Sequence, residues 1–395
     1  MYLNTRRAAG RLSLMILLGI SVVGLAAIAC SSADELPSGP PLVPALPETD
    51  EPPPATPGLS ETPIDVRATT YETSGELVHP DAFVFSHEWN GRRRWFAGTP
   101  YPAGNAVFEN PSIFITNNGI DWEPPPGLTN PLAVPVGTAR LSDPDLSYDP
   151  VGKSLLLYFR EYGTTDRLFV RRSRDGTNWD PQIELFSGPK NSLISPAVVR
   201  EEDGSWRMWT VDAGTFGCRA FAENVHLQQR RSRDGMDWGV PKDVHLSLAG
   251  WVPWHWDVQY VGAKHEYWAL IAAYRTHRDC SETSVFFARS TDGTEWTAAP
   301  TALLGPNQVP ALRDLVYRST FRYYPSTDEV TVWYSGGRVE NGGFHYALAM
   351  AHYRVPEMLQ LVSTATSASA ASSAPVPRRS LADRKAIVSF IDNFP

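Results

Sequence analysis

Arg171–Trp179 reads Arg-Arg-Ser-Arg-Asp-Gly-Thr-Asn-Trp, and the same phrase returns at Arg230–Trp238 as Arg-Arg-Ser-Arg-Asp-Gly-Met-Asp-Trp. A third copy, Ala288–Trp296, reads Ala-Arg-Ser-Thr-Asp-Gly-Thr-Glu-Trp, and a weaker one at Ile115–Trp122 carries Asn118-Gly119 in place of Asp-Gly. The closing tryptophans, Trp122, Trp179, Trp238 and Trp296, are spaced by 57, 59 and 58 residues. A fixed period of this size marks a repeat architecture. Within each copy a strand-like run leads into Asp-Gly. The aspartate can bond nearby backbone N–H groups, and the glycine can take positive φ. The tryptophan then buries a large apolar face where the chain turns back. Turn chemistry accounts for every position, so the phrase reads as a hairpin staple without catalytic work.

Around the staples, residues from about Glu72 to Arg354 form short alternating runs bounded by Gly, Pro, Asn and Asp, an all-β pattern. One period divides into Asp145–Tyr148, Ser154–Phe159, Leu168–Arg172 and Gln182–Phe186. The next divides into Ala197–Arg200, Trp206–Val211, Val225–Arg231 and Lys242–Leu246. Four-stranded units of this length predict β-propeller blades. Five aligned inner-strand starts set the blade number: His79-Pro80-Asp81, Asp143-Pro144-Asp145, Ser195-Pro196-Ala197, His255-Trp256-Asp257 and Arg318-Ser319-Thr320. The fifth unit lacks a staple. Phe344–Tyr353 supplies its third strand, and Asp65–Tyr71 closes the ring. The fold expected is therefore an all-β, five-bladed propeller of four-stranded blades over residues 64–355.

The flanks differ in kind. Arg6, Arg7 and Arg11 precede an apolar run, Leu12–Ala29, that ends at Cys30. Residues 1–30 thus read as a lipoprotein signal peptide, with lipidation at Cys30 and an extracytoplasmic, membrane-anchored bacterial protein. Residues 31–63 are a linker, with ten prolines between Leu36 and Pro63. Residues 356–395 are an Ala/Ser-rich tail with a possible short helix over 380–394. Cys218 and Cys280 lie one repeat apart, which predicts a disulfide in an exported chain. A net charge of −8 argues against a nucleic-acid partner. No membrane contact beyond the lipid is expected, and a monomer is.

Inner-strand starts and the loops between second and third strands open on one face of a propeller. That face collects His79, Asp81, Tyr101, Glu109, Asn110, Asp143, Asp145, Glu161, Asp166, Ser195, Asp212, Trp254, His255, Asp257, Arg275, Arg318 and Ser319. Period-two alternation gives Asp81, Asp145 and Asp257 the same facing, so they are expected around one mouth on the ring axis, with Glu161 or Glu109 at its rim. No dense His/Asp/Glu triplet is visible along the chain, so no metal site is assigned.

The order His79-Pro80-Asp81, Tyr101-Pro102, Glu109-Asn110-Pro111-Ser112, Ser142-Asp143-Pro144-Asp145, Ser195-Pro196-Ala197-Val198, Trp254-His255-Trp256-Asp257 and Tyr317-Arg318-Ser319-Thr320-Phe321 resembles five-bladed propellers of the glycoside hydrolase clan of arabinanases, β-xylosidases and invertases. The likeness runs from Val78 to Tyr353 and extends most closely to an uncharacterised branch of the arabinanase family. It implies a glycan partner and a first-blade base or nucleophile at Asp81, with Asp145 as rival. It also implies an acid-tuning aspartate at Asp143, although Ser142 replaces the usual arginine. The third-blade general-acid glutamate is missing, so Glu161, Glu109 or Asp257 would have to serve. His79, Tyr101, Glu109, Asn110, Ser195, Trp254, His255 and Arg318 would bind substrate. No cofactor is required, though calcium at the ring centre occurs in such relatives. Two functions follow: an exported glycoside hydrolase-like enzyme, or a non-catalytic glycan-binding lipoprotein on the same scaffold. A structural surface protein is the third reading.

Overall fold

The computed structural model describes residues 63–306 and 310–363. The signal peptide, Cys30, most of the linker and the helix expected over 380–394 lie outside them. Twenty strands form five blades. Blade one holds β2 (Leu77–Trp89), β3 (Arg92–Pro100) and β4 (Ser112–Thr116), and the short β5 (Asp121–Trp122) beside β4 pairs parallel with Arg67 and Ala68 at the start of the domain. Blade two holds β6 (Arg140–Asp149), β7 (Ser154–Tyr162), β8 (Thr165–Ser173) and β9 (Ile183–Pro189). Blade three holds β10 (Ile194–Arg200), β11 (Trp206–Asp212), β12 (His226–Ser232) and β13 (Lys242–Ser247). Blade four holds β14 (Trp251–Val261), β15 (Glu266–Arg275), β16 (Thr283–Ser290) and β17 (Glu295–Ala298). Blade five holds β18 (Leu315–Tyr324), β19 (Glu329–Glu340) and β20 (Gly343–Arg354), completed by β1 (Ile64–Ala68) from the start of the domain. β1 pairs antiparallel with β20, as the sequence predicts, and Ile64 faces Met350. The inner strands meet in order, β2 with β6, β6 with β10, β10 with β14, β14 with β18 and β18 with β2, so the ring is closed.

The staples are equivalent. In each, the tryptophan Nε1 donates to its own glycine carbonyl: Trp122 to Gly119 at 3.0 Å, and Trp179 to Gly176, Trp238 to Gly235 and Trp296 to Gly293 at 3.1 Å. Each Asp or Asn oxygen takes two backbone N–H groups, as Asp234 Oδ1 does from Met236 and Asp237 at 2.8 and 2.9 Å. The staple also does more than turn a hairpin. Its glycine sits against an aromatic ring on the second strand of the preceding blade. Trp333 Nε1 donates to the Gly119 carbonyl, Tyr158 Oη to that of Gly235 and Trp209 Nε1 to that of Gly293, each at 2.9 Å. A Cβ on Gly176 would overlap the Trp95 ring. The repeated phrase is thus the joint between blades.

Blade five has no staple, and the blade-four/blade-five joint is made differently. A helix, α1 (Val355–Ser363), follows β20 directly. Its Val355 and Met358 are buried in one cluster with Leu270, Phe287 and Val332. The reading of residues 356–395 as tail did not foresee this helix. The Cys218–Cys280 disulfide forms, with Cα atoms 5.2 Å apart, and ties the β11–β12 segment to the β15–β16 segment.

Candidate functional site

All five inner strands carry a register shift where the motifs lie: between Val78 and Asp81, Ser142 and Asp145, Ile194 and Ala197, Pro253 and His255, and Val316 and Ser319. A proline cannot donate to a strand ladder, so Pro80, Pro144 and Pro196 suit a bulge. The preceding residue takes positive φ in each case: His79 52°, Asp143 52° and Ser195 49°. Same-face residues on a strand stand roughly 6.6 Å apart along it. The inner strands therefore present two layers of side chains to the axis.

The upper layer is built from strand starts. His79, Asp143 and His255, from blades one, two and four, each bring a ligand-type atom within 4.8 Å of the other two. His79 Nδ1 lies 3.0 Å and His255 Nδ1 3.3 Å from Asp143 Oδ1. His79 Nδ1 nevertheless has no aligned hydrogen bond. His79 Nε2 contacts Glu109 Oε1 at 2.9 Å, and Tyr162 Oη donates to Glu109 Oε2 at 2.9 Å. Ser195 Oγ lies 2.5 Å from His255 Nδ1 and 3.3 Å from Asp143 Oδ1. Arg318 Nη1 reaches Asp143 Oδ1 at 3.2 Å, and Arg160, forked onto Asp166, stands 3.5 Å from Asp143 Oδ2. Tyr317, Trp254 and Cys218 help wall a cavity of about 20 Å³, room for one ion or water.

Burial pushes His255 down to about 3 despite the pull of Asp143, so its ring is neutral. Burial would also lower His79, but the carboxylates of Asp143 and Glu109 outweigh it and raise it. Burial raises Glu109 against its hydrogen bond to His79. Asp143 is held well below the usual carboxylate range, because His79 and His255 overcome its burial. Two histidines and one ionised carboxylate converging in this way form a metal-ligand set. Ligands about 2.0–2.1 Å from a tetrahedral ion stand ~3.4 Å apart, close to the 3.0 and 3.3 Å separations here. No metal triplet is visible along the chain because three blades contribute one ligand each.

The lower layer holds Asp81, Asp145 and Asp257, with one carboxylate oxygen of each within 4.8 Å of the others. They share the axis, as expected, but not a mouth with Glu109. Asp81 Oδ2 accepts the Leu146 N–H at 2.6 Å and Asp145 Oδ2 the Val198 N–H at 3.1 Å. Each bond clasps one blade to the next. Burial pushes Asp81 up to about 6, against Arg318. Burial and then Asp81 push Asp257 up to about 7, and burial, then Asp81 and Asp257, raise Asp145 above the usual carboxylate value.

Other expected residues fall elsewhere. Glu161 pairs with Arg167 and does not line the upper cavity. Its β7 neighbours Arg160 and Tyr162 line it instead, because alternation sends Glu161 to the other face. Asn110 anchors its loop through Tyr71 Oη and the Val107 carbonyl. Tyr101 packs on Tyr346 in the core. Tyr162, Arg160 and Asn191 lie in no motif of the sequence, and Tyr317 belongs to the Tyr317–Phe321 motif without a role read for it there. Only the alternation within β7 pointed to the first two.

No family model matches the chain. It is 26% identical over 309 residues to the A type blood N-acetyl-α-D-galactosamine deacetylase of Flavonifractor plautii, covering 66% of this chain and 40% of that protein. The chain thus spans well under half the length of that relative. Among solved structures, an N-acetylgalactosamine deacetylase from F. plautii in complex with blood group B trisaccharide aligns with a TM-score of 0.68 at 24% identity, over 78% of this chain and 97% of that one. A thermostable family-43 glycoside hydrolase aligns at 0.51 and 12% identity, over 69% and 88%. The Penicillium chrysogenum α-L-arabinanase complexed with arabinobiose aligns at 0.50 and 12%, over 76% and 99%. The fold is the five-bladed propeller seen in those enzymes.

Proposed function

We propose that this protein is a metal-assisted amide hydrolase that removes the N-acetyl group from an amino sugar within a glycan. The observation that carries the reading is the convergence of His79, Asp143 and His255 without an aligned hydrogen bond at His79 Nδ1. The similarity to an N-acetyl-α-D-galactosamine deacetylase supports the reaction class. A divalent ion held there would polarise a carbonyl and lower the pKa of a bound water. The chain's own residues do the rest. Glu109 orients His79 through Nε2, the usual arrangement of a carboxylate behind a ligating histidine. Arg160 and Arg318 hold Asp143 in place, while His79 and His255 keep it ionised. Tyr317 Oη and Trp254 Nε1 are buried at the cavity wall without aligned partners. Either would donate to the oxygen of the acetyl carbonyl once the cavity, here the size of one ion or water, widens to admit it.

Glycosidic hydrolysis fits less well. Retaining enzymes hold their carboxyl groups ~5–5.5 Å apart and inverting ones ~6.5–9.5 Å. The lower-layer oxygens lie within 4.8 Å, and two of the three carboxylates are committed to backbone N–H groups. Export and a lipid anchor at Cys30 belong to the same proposal; the disulfide supports an oxidising compartment. The test is acetate release from a glycan ending in N-acetylgalactosamine, by protein loaded with Mn²⁺ or Zn²⁺. Release should stop on chelation, return on reloading, and fall at least ~100-fold in Asp143→Asn. Release that survives both chelation and Asp143→Asn would overturn the reading.

A further inference from the structure

The lower layer is more than a clasp. Asp81, Asp145 and Asp257 floor a cavity of about 540 Å³. Its lining follows the inner strands to their far ends at Pro150, Gly262 and Ala263, whereas the upper cluster lies at the strand starts. The two sites therefore open at opposite ends of the axis. The volume falls in the range of small-molecule pockets. Phe83, Tyr148 and Tyr260 form walls, and Arg200, Arg322, Glu201 and Glu202 balance one another in sign nearer the mouth.

The floor has acceptors to spare. One oxygen of Asp81 and one of Asp145 take backbone N–H groups, and their other oxygens meet the hydroxyls of Thr320 and Ser147 at 3.4 Å. Asp257 Oδ2 has no hydrogen-bond partner at all, although the residue is only 2% exposed. One oxygen from each of the three carboxyl groups lies within 4.8 Å of the other two. Arg318 stands beside the three carboxyl groups and spends its Nη1 on Asp143 above. An ammonium offers three donors and no acceptor. Charge-assisted bonds of about 2.8 Å from one tetrahedral nitrogen put three oxygens ~4.6 Å apart, within the 4.8 Å seen here. Calcium would ask for six to eight oxygens, twice the number on offer. Aromatic walls favour a cation with an organic body.

We propose that the axial cavity is a second binding site that takes a small organic primary amine, its ammonium on Asp81, Asp145 and Asp257 and its body against Phe83, Tyr148 and Tyr260. The test uses phenethylamine, with 2-phenylethanol as the neutral isostere and calcium chloride as the metal control, by calorimetry on the folded protein. Phenethylamine should bind and 2-phenylethanol should not. Asp257→Asn should weaken the amine at least ~10-fold, as loss of a charge-assisted bond requires, while His255→Ala leaves it unchanged. Tyr260→Ala, which leaves the floor intact, should weaken it as well, and stands in should Asp257→Asn fail to fold. Three results would overturn the proposal: no amine binding at millimolar concentration, calcium binding alone, or amine binding that ignores both Asp257→Asn and Tyr260→Ala.

Discussion

Replacing Gly176 with alanine tests whether the staple joins blades or merely turns a hairpin. Gly176 has φ of +80°, and a Cβ there would fall on the Trp95 ring of blade one, itself 2% exposed. Two costs follow. A non-glycine residue in the left-handed region costs roughly 1–2 kcal/mol. Forcing an extra carbon into a packed aromatic contact costs roughly 1–3 kcal/mol more. Gly91, in the β2–β3 turn, is the internal control: its φ is +73°, but a Cβ there meets nothing within 4 Å. Gly91→Ala should therefore cost only the backbone part, about 1–2 kcal/mol, and Gly176→Ala about 2–5 kcal/mol. Equilibrium urea unfolding of the two variants beside the parent reads the difference directly. Equal losses would show that Trp95 does not bear on Gly176 and that the joint is not where the structure puts it.

Acid should loosen the staples selectively. Partial burial would raise Asp175 and Asp234, but the backbone N–H bonds they accept outweigh it; for Asp292 those bonds are the largest effect, so all three sit below the usual value. Groups of this kind contribute stability above their unfolded value near ~3.9 and lose it as pH falls through their folded values. A triple variant with Asn at 175, 234 and 292, as Asn118 already stands in blade one, should show a flatter fall of Tm below about pH 4; an unchanged fall would count against it. Removing the disulfide as Cys218→Ser with Cys280→Ser opens a loop of 62-residue separation, a loss of about 4 kcal/mol on loop-closure entropy, read by urea unfolding; a loss under ~1 kcal/mol would contradict the tie. Glu109→Gln should lower metal affinity ~10–100-fold, because it removes the carboxylate behind His79; unchanged affinity by metal titration would remove Glu109 from the site.

The blade number was legible because five inner-strand starts align at a period that holds four strands. The ring closure by β1 was legible because the fifth unit runs out of chain. What the staple touches was not, since Gly176 and Trp95 belong to different blades and nothing local records their contact. Helix α1 escaped because nine residues before an Ala/Ser-rich stretch carry too little periodicity to stand out. The site was half legible. The motifs at inner-strand starts do point to the axis, yet His79 and Asp81 stand at different heights on one strand. Reading them as one pocket merged a histidine–aspartate cluster with an acidic floor. Glu161 was chosen for its charge, and alternation along β7 gives the cavity to Arg160 and Tyr162 instead.

The most direct measurement is mass spectrometry of a glycan carrying terminal N-acetylgalactosamine after incubation with the metal-loaded protein. The site described here predicts loss of the acetyl group with every glycosidic bond intact, and no reaction by Asp143→Asn. Cleavage of a glycosidic bond with the acetyl group retained would contradict it in favour of a glycosidase. A glycan bound but returned unchanged would contradict it in favour of a binding protein.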